Sequence, residues 1–352
     1  MKKITLILSF FLMSFLVVGC VQVETNSDFG GVFRSVDKGE TFLQKSLLAT
    51  PLASLQSIGN VSVTTMELDP QDSSALYIGT LNSGLYYSYD MASSWQKARS
   101  LGDMAIHSLE VSPDNKCRIY AASYNKIFMS KDCNRTYKEI YNDPRSAVIF
   151  KELIIDPSVP ARIYAATSFG DILRSEDSGT AWMNIYNLGS EIIDIVIPKD
   201  NAEIMYVATK KALLKTENNG VNWTNIGNDF DKLAGVAGSM DIREILSIDG
   251  KNGNSIMVLT NKNIFKSNNG GASWDNLRLV TPPGKVDLYS FAVNPKNEKE
   301  IYYATATSFV KSIDGGANWK SVVSPSLRLP YHMLADPADL NIIYLGMWKQ
   351  KS

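Results

Sequence analysis

One eight-residue pattern recurs along the whole chain and restricts what it can fold into. The pattern is Ser/Thr-x-Asp/Asn-x-Gly-x-x-aromatic, and residues 312–319 (SIDGGANW) show it in full. Copies begin at Ser35, Ser88, Ser130, Ser175, Thr216, Ser267 and Ser312, at spacings of 53, 42, 45, 41, 51 and 45 residues. Self-similarity at such a period signals a repeat architecture, in which each unit buries its apolar surface against the next. Five of the six tryptophans (Trp95, Trp182, Trp223, Trp274 and Trp319) close a copy, so most of the largest aromatic surface is committed to the repeat.

The residue types suit a tight bend between two strands. A short apolar run precedes each copy, such as GVFRS, DILRS or NIFKS, with the alternation expected of a strand. In the bend, the hydroxyl and the acidic or amide side chain accept hydrogen bonds from backbone N–H groups that the ladder leaves unpaired. These pairs are Ser35/Asp37, Ser88/Asp90, Ser130/Asp132, Ser175/Asp177, Thr216/Asn218, Ser267/Asn269 and Ser312/Asp314. The glycines Gly39, Gly179, Gly220, Gly271 and Gly316 supply a positive φ without a Cβ penalty. Asn134 and Ala92 hold that place in two copies, and Ala92 is expected to be mildly strained there. Two copies close on Phe42 and Tyr137. The aspartates therefore read as turn staples, not catalytic acids.

The pattern resembles the Asp-box, or BNR, repeat, and its recurrence resembles a β-propeller. The flanking sequence agrees: a strand-like run ends near a proline and is followed by a strand rich in Tyr and Ala, as at 162–167 (RIYAAT) and 301–306 (IYYATA). Four strands per unit make a propeller blade. The first copy has no preceding pair of strands. The missing pair lies at the other end, in residues 333–337 and 342–347. The expectation is an all-β, seven-bladed propeller of four-stranded antiparallel blades, closed by a blade that both termini share.

Residues 1–19 read as a signal peptide: Lys2 and Lys3 precede an apolar run from 4 to 18, too short for an ordinary membrane span. The ending Val17-Val18-Gly19-Cys20 resembles the bacterial lipobox. That resemblance implies cleavage before Cys20, lipidation of Cys20, and an extracytoplasmic protein anchored to the cell membrane or outer membrane. Residues 20–28 form a short tether, whose eight residues from Val21 span at most about 26–29 Å when extended. Residues 29–352 form a single propeller domain, expected to be monomeric. A net charge of −1 without a basic stripe argues against nucleic-acid binding. Beyond Cys20, Cys117 and Cys133 fall in turns at the same end of one blade. They form either a disulfide, which an oxidising compartment permits, or two free thiols.

A blade has two ends. The repeated turns occupy one, so variation, and with it function, is expected on the face of the inter-blade connections. The longest of these are residues 44–62, with Leu48, Leu52 and Leu55 at helical spacing, and 225–240. The first reads as a packed flap or a partner-binding patch. Arg99, Arg145, Arg243, Arg278 and Arg328 fall in different connections and are expected to line one face, where guanidinium groups recognise carboxylates or phosphates. Tyr124, Phe169 and Trp348 are expected to add contact area there. Two histidines, His107 and His332, read as channel-lining or core residues. No metal, cofactor or nucleotide signature is found. Asp103, Asp143, Asp229, Asp241 and Glu244 show no spacing that pairs them as a hydrolase would need.

Over nearly all of its mature length the chain resembles the photosystem II assembly and stability factors, seven-bladed and often lipid-anchored. That resemblance implies a non-catalytic, protein-binding or assembly scaffold with an arginine-lined face. More distant likenesses are to sortilin-type and xyloglucanase-type propellers, and sialidases carry the same turns. A glycan-binding or glycoside-hydrolase propeller is therefore the alternative.

Overall fold

A computed structural model describes residues 28–49, 56–228, 230–235, 241–248, 251–282 and 284–350. The expected signal peptide, Cys20 and most of the tether lie outside the described residues, as do Leu52, Leu55 and Asp229. Each repeat forms one four-stranded antiparallel sheet, and seven such sheets make the ring. In blade 3 the strands run Phe150–Ile155, Ile163–Thr167, Asp171–Ser175 and Met183–Asn187 from the axis outward. The second strand of a blade is covered on both faces by its neighbours, and every residue of Ile163–Thr167 and of Met205–Thr209 is buried. This is why these strands are apolar throughout and do not alternate. The layers between blades form the core: Tyr164 and Ile172 of blade 3 pack on Ile192, Ile195 and Val207 of blade 4. Each large apolar side chain so buried contributes about 1.5–3 kcal/mol.

The ring closes as its ends foretell. Strand Gly31–Ser35 lies between Ile343–Trp348 and Leu43–Lys45, with Phe33 opposite Leu345 and Gln44. Leu329–Ala335 forms the inner edge of this shared blade 7. Blade 1 begins with Val63–Asp69, and blades 2 to 6 follow in chain order.

All seven repeated turns share one hydrogen-bond scheme. The hydroxyl of Ser312 donates to Asp314 Oδ1 at 2.8 Å and accepts from Gly316 N at 2.8 Å, while Asp314 Oδ1 accepts from Asn318 N at 2.8 Å. Thr216 and Asn218 reproduce it with an amide in place of the carboxylate. Asn269 departs from the expected role of acceptor alone. Its Oδ1 accepts from Ser267 Oγ and from Ser273 N, each at 2.9 Å, but its Nδ2 donates to Ser273 Oγ at 2.7 Å. An amide carries donors that a carboxylate lacks, so the hydroxyl that donates to Asp132 from Thr136 here accepts instead. Two consecutive residues per turn are left-handed, not the glycine alone: Lys38 and Gly39, Met91 and Ala92, and Cys133 and Asn134 are examples. The indole N–H groups of Trp95, Trp274 and Trp319 donate to Lys45 O, Ile226 O and Arg278 O of the preceding blade. Those of Trp182 and Trp223 donate to Gly179 O and Gly220 O within their own turns. A disulfide joins Cys117 to Cys133, with Cα atoms 4.0 Å apart, across two turns of blade 2.

Within the described part of connection 44–62, Leu47 bridges Ser57 and Leu48 bridges Trp95. Leu48 packs on the core between blades 7 and 1, which fits a flap. In connection 225–240, helix Phe230–Ala234 sends Phe230 inward to stack on Phe265 at 4.3 Å.

Candidate functional site

The inner strands carry a motif hidden from simple alternation. A tetrad repeats seven times: an anchor, a variable residue, a polar residue, and a second apolar anchor. Its copies are 63–66 (VTTM), 106–109 (IHSL), 150–153 (FKEL), 192–195 (IIDI), 242–245 (IREI), 288–291 (LYSF) and 330–333 (PYHM). In six blades the ladder register slips by one residue within the tetrad, as between Ile242 and Glu244 opposite Thr260 and Leu259. A bulge leaves its extra residue unpaired and re-aims the side chains beside it. Two consecutive side chains per blade therefore turn from the core toward the axis, the first at the channel mouth and the second below it.

The lower ring holds Thr65, Ser108, Glu152, Asp194, Glu244, Ser290 and His332. Its members span from blade to blade. Glu152 accepts from Ser108 Oγ at 3.0 Å, Asp194 accepts from Ile245 N at 2.6 Å, and Ser290 donates to Pro330 O at 2.6 Å. These contacts satisfy the free inner edges of the sheets. Glu67 and Glu110 add two carboxylates beneath this ring. Burial raises all five acids: Glu67 and Asp194 stand at about 7, and Glu110, Glu152 and Glu244 well above the usual range. Their side chains are half-buried along the axis, surrounded by protein. Burial holds His332 down at about 4, and burial followed by the Lys151 charge lowers His107, so both rings are neutral imidazoles at pH 7.

The mouth is formed by Thr64, His107, Lys151, Ile193, Arg243, Tyr289 and Tyr331. Three of these join in an arc. The Arg243 guanidinium lies 4.8 Å from the Tyr289 ring and 5.9 Å from the Tyr331 ring. Tyr289 meets Tyr331 at 5.6 Å, and Tyr331 meets Trp348 at 5.7 Å. Arg243 Nη1 has no hydrogen-bond partner among the described residues. A cation held between aromatic faces suits an anionic group carried on an apolar segment.

The arginines expected to line one face are used in different ways. Arg243 belongs to the inner strand Ile242–Ser247 and not to a connection. Arg145 is committed to Asp143 at 2.7 Å and Asp171 at 2.8 Å, with Phe169 beneath it at 5.8 Å. Arg99 and Arg278 are exposed in separate sectors. Arg328 corrects the expectation: it is 4% exposed and donates to Asp28, Asn60 O and Val61 O, so it pins the chain entry and offers nothing to a partner. Of the aromatics, Tyr124 is exposed and packs on His107 at 5.2 Å, beside an open depression of about 580 Å³ that includes Met104, Phe128 and Glu139. Tyr289 and Tyr331 went unnoticed in the sequence, although the aligned tetrads would have exposed them.

The paired Ser/Thr and Asp/Asn side chains of the repeated turns stay within those turns and add nothing to the mouth. Asp37, Asp90, Asp132, Asp177 and Asp314 accept from the backbone N–H four residues on, and so do Asn218 and Asn269. Asp143 and Asp171 are the carboxylates that the fold brings together on the connection face, through Arg145. The Arg145 hydrogen bond holds Asp143 below the ordinary carboxylate range. Burial alone would raise Asp171, but Asn187, Arg145 and Asn184 donate to it and keep it low. Neither retains a proton near neutrality, as a glycosidase acid must. Asp103 pairs with Lys97, and Glu244 points into the channel. Among the described residues no cluster of His, Cys, Asp or Glu is arranged to hold a metal, and no helix is long and apolar enough to cross a membrane.

Comparison with protein-family models and with curated proteins finds no match. Solved structures share the fold. The GH74 xyloglucanase from Xanthomonas campestris superposes with a TM-score of 0.66 at 16% identity, over 82% of this chain and 51% of that one. The chain thus spans about half the length of that enzyme. YCF48 with a D1 peptide bound matches with a TM-score of 0.63 at 14% identity, over 87% of this chain and 99% of that one. YCF48 from Cyanidioschyzon merolae gives 0.58 at 13% identity, over 86% and 98%. The chain is a seven-bladed β-propeller, similar in fold both to YCF48 and to one half of GH74 glycoside hydrolases.

Proposed function

We propose that this protein is a non-catalytic binding or assembly scaffold, lipid-anchored through Cys20 outside the cytoplasm, that takes a protein or peptide segment at the channel mouth. The observation that carries the reading is the arc Arg243–Tyr289–Tyr331–Trp348, a half-buried guanidinium held between aromatic faces at the mouth. A carboxylate, from an acidic side chain or a chain terminus, fits Arg243; a flanking apolar side chain fits the tyrosines and Trp348. That YCF48, which matches along 99% of its length, has been determined with a D1 peptide supports a peptide as the occupant.

Selection from a displayed peptide library tests this. Wild-type protein should enrich peptides with a carboxylate beside an apolar residue, and Arg243→Ala should abolish the enrichment. Equal enrichment by both proteins would refute the assignment. Labelled fatty acid should be incorporated by the wild type and not by Cys20→Ala.

The Asp143/Asp171 pair beside Phe169, together with the likeness to GH74 enzymes, favours a second reading, a glycan site. With both carboxylates held low by their donors, that site would bind sugar without cleaving it. Release of reducing ends from xyloglucan, lost in Asp171→Asn, would establish hydrolysis in place of the scaffold reading.

A further inference from the structure

The described chain enters the ring on the connection face, at the junction of blades 6 and 7. Asp28 is held there by Arg328, and the Phe29 carbonyl accepts from Ser326 Oγ at 2.6 Å. Around this entry the surface is apolar. Phe29 is 52% exposed, Leu327 63% and Val323 66%, although each follows or precedes residues that are well packed. Trp348 and the exposed Lys349 border the patch, and Lys349 Nζ lies 3.7 Å from Asp28 Oδ2. Trp348 also ends the arc at the channel mouth, so the two surfaces are continuous.

Large apolar side chains exposed together mark a surface that meets something. Aliphatic residues edged by an aromatic belt and a long cation match the boundary of a bilayer, where indole and phenol rings sit at headgroup depth and lysine reaches the phosphates. The chain itself names the occupant. On the lipoprotein reading the apolar run 4–18 is removed and Cys20 carries the lipid, so the segment that joins the anchor to Asp28 spans at most about 26–29 Å when extended. Whatever holds that segment at a membrane brings this sector within reach of the lipid. We infer that the sector of Phe29, Val323, Leu327, Trp348 and Lys349 rests on the lipid surface, so that the ring stands with its channel mouth toward the membrane and its repeated turns away from it. This holds independently of what the mouth binds. If the mouth does take a peptide, the peptide is a juxtamembrane one.

The tryptophans provide the test. Five lie at the far end of the ring, and Trp348 alone lies in this sector among the described residues. The full chain is bound to phosphatidylcholine–phosphatidylglycerol vesicles carrying bromine on the upper acyl chain, and its tryptophan emission is compared with that on unbrominated vesicles. The inference expects co-flotation with the vesicles and quenching of one emission component. That component should vanish in Trp348→Phe and weaken at least twofold in Leu327→Asp, an exposed change that leaves the fold intact. Flotation without quenching, quenching unchanged in Trp348→Phe, or no flotation at all would each overturn it. Loss of peptide selection with quenching intact would count against the mouth assignment alone.

Discussion

Arg328 and Asp28 are 300 positions apart in the chain, and Arg328 Nε lies 3.1 Å from Asp28 Oδ1 where the ring closes. Asp28 is largely solvated, so the pair itself adds little. The same guanidinium, however, also satisfies Asn60 O and Val61 O. Gly30 makes room for it, since a Cβ there would sit 2.1 Å from Arg328 Nη1. Arg328→Ala should cost about 1.5–3 kcal/mol, the loss of the hydrogen bonds that a buried guanidinium makes, measured by denaturant unfolding. A melt identical to wild type would show that the clamp is dispensable.

The turn glycines separate conformational strain from crowding. Gly316 and Gly39 both have positive φ. A Cβ on Gly316 would have Trp319 at 3.3 Å, whereas one on Gly39 would have the Phe309 ring at 2.1 Å. Gly316→Ala should cost about 1–2 kcal/mol from the left-handed backbone alone. Gly39→Ala should cost roughly 1–3 kcal/mol more, because the ring must move. Equal costs would mean that packing between blades 6 and 7 yields more readily than the contacts indicate.

Stability should vary with pH in two opposed ways. In the folded ring Glu67 and Asp194 stand at about 7, above their ordinary 4.5 and 3.8. The folded state therefore binds protons more tightly than the unfolded chain across that interval. This contribution is full below about pH 4 and is lost as pH rises through 7. The turn aspartates act the other way. The Thr136 side-chain bond holds Asp132 at about 2, and the Asn318 backbone bond does the same for Asp314, so their contribution is lost as pH falls from 3.8 to 2. The melting temperature should thus fall from pH 5 to pH 8 and fall again below pH 4. Asp194→Asn, which keeps an acceptor for Ile245 N, should flatten the upper limb.

The disulfide closes a short loop, with Cys117 and Cys133 separated by 16 positions. Constraint of such a loop in the unfolded chain is worth about 3 kcal/mol. Cys117→Ser with Cys133→Ser should lower stability by about that amount under oxidising conditions and match the wild type in reductant. A loss that persists in reductant would point to packing of the sulfurs instead.

The ring was legible in the sequence because its turns are stereotyped. Ser312, Asp314, Gly316 and Trp319 have fixed roles in one hydrogen-bond scheme, and Phe33 pairing with Leu345 follows from the half-blades at either end. The mouth was not legible. Its side chains are placed by bulges, which shift Arg243 and Tyr331 out of simple alternation, and no glycine or proline marks the one at Arg243. Nor does position in a connection say which way a long side chain turns. Arg328 points in to three partners while Arg99 points out. The second left-handed residue of each turn, such as Lys38 or Cys133, was hidden because the hydrogen bonds around it hold any side chain in that conformation. The donor role of Asn269 was hidden too, since it depends on where the Ser273 hydroxyl sits.

The central claim is that the Arg243 arc is the binding surface, and fluorescence anisotropy of a labelled, carboxylate-bearing peptide from the library tests it most directly. Arg243→Ala should weaken binding at least tenfold, about 1.4 kcal/mol, while Arg99→Ala on the same face leaves it unchanged. Binding that survives Arg243→Ala and fails in Arg99→Ala would move the site away from the channel mouth and contradict the account.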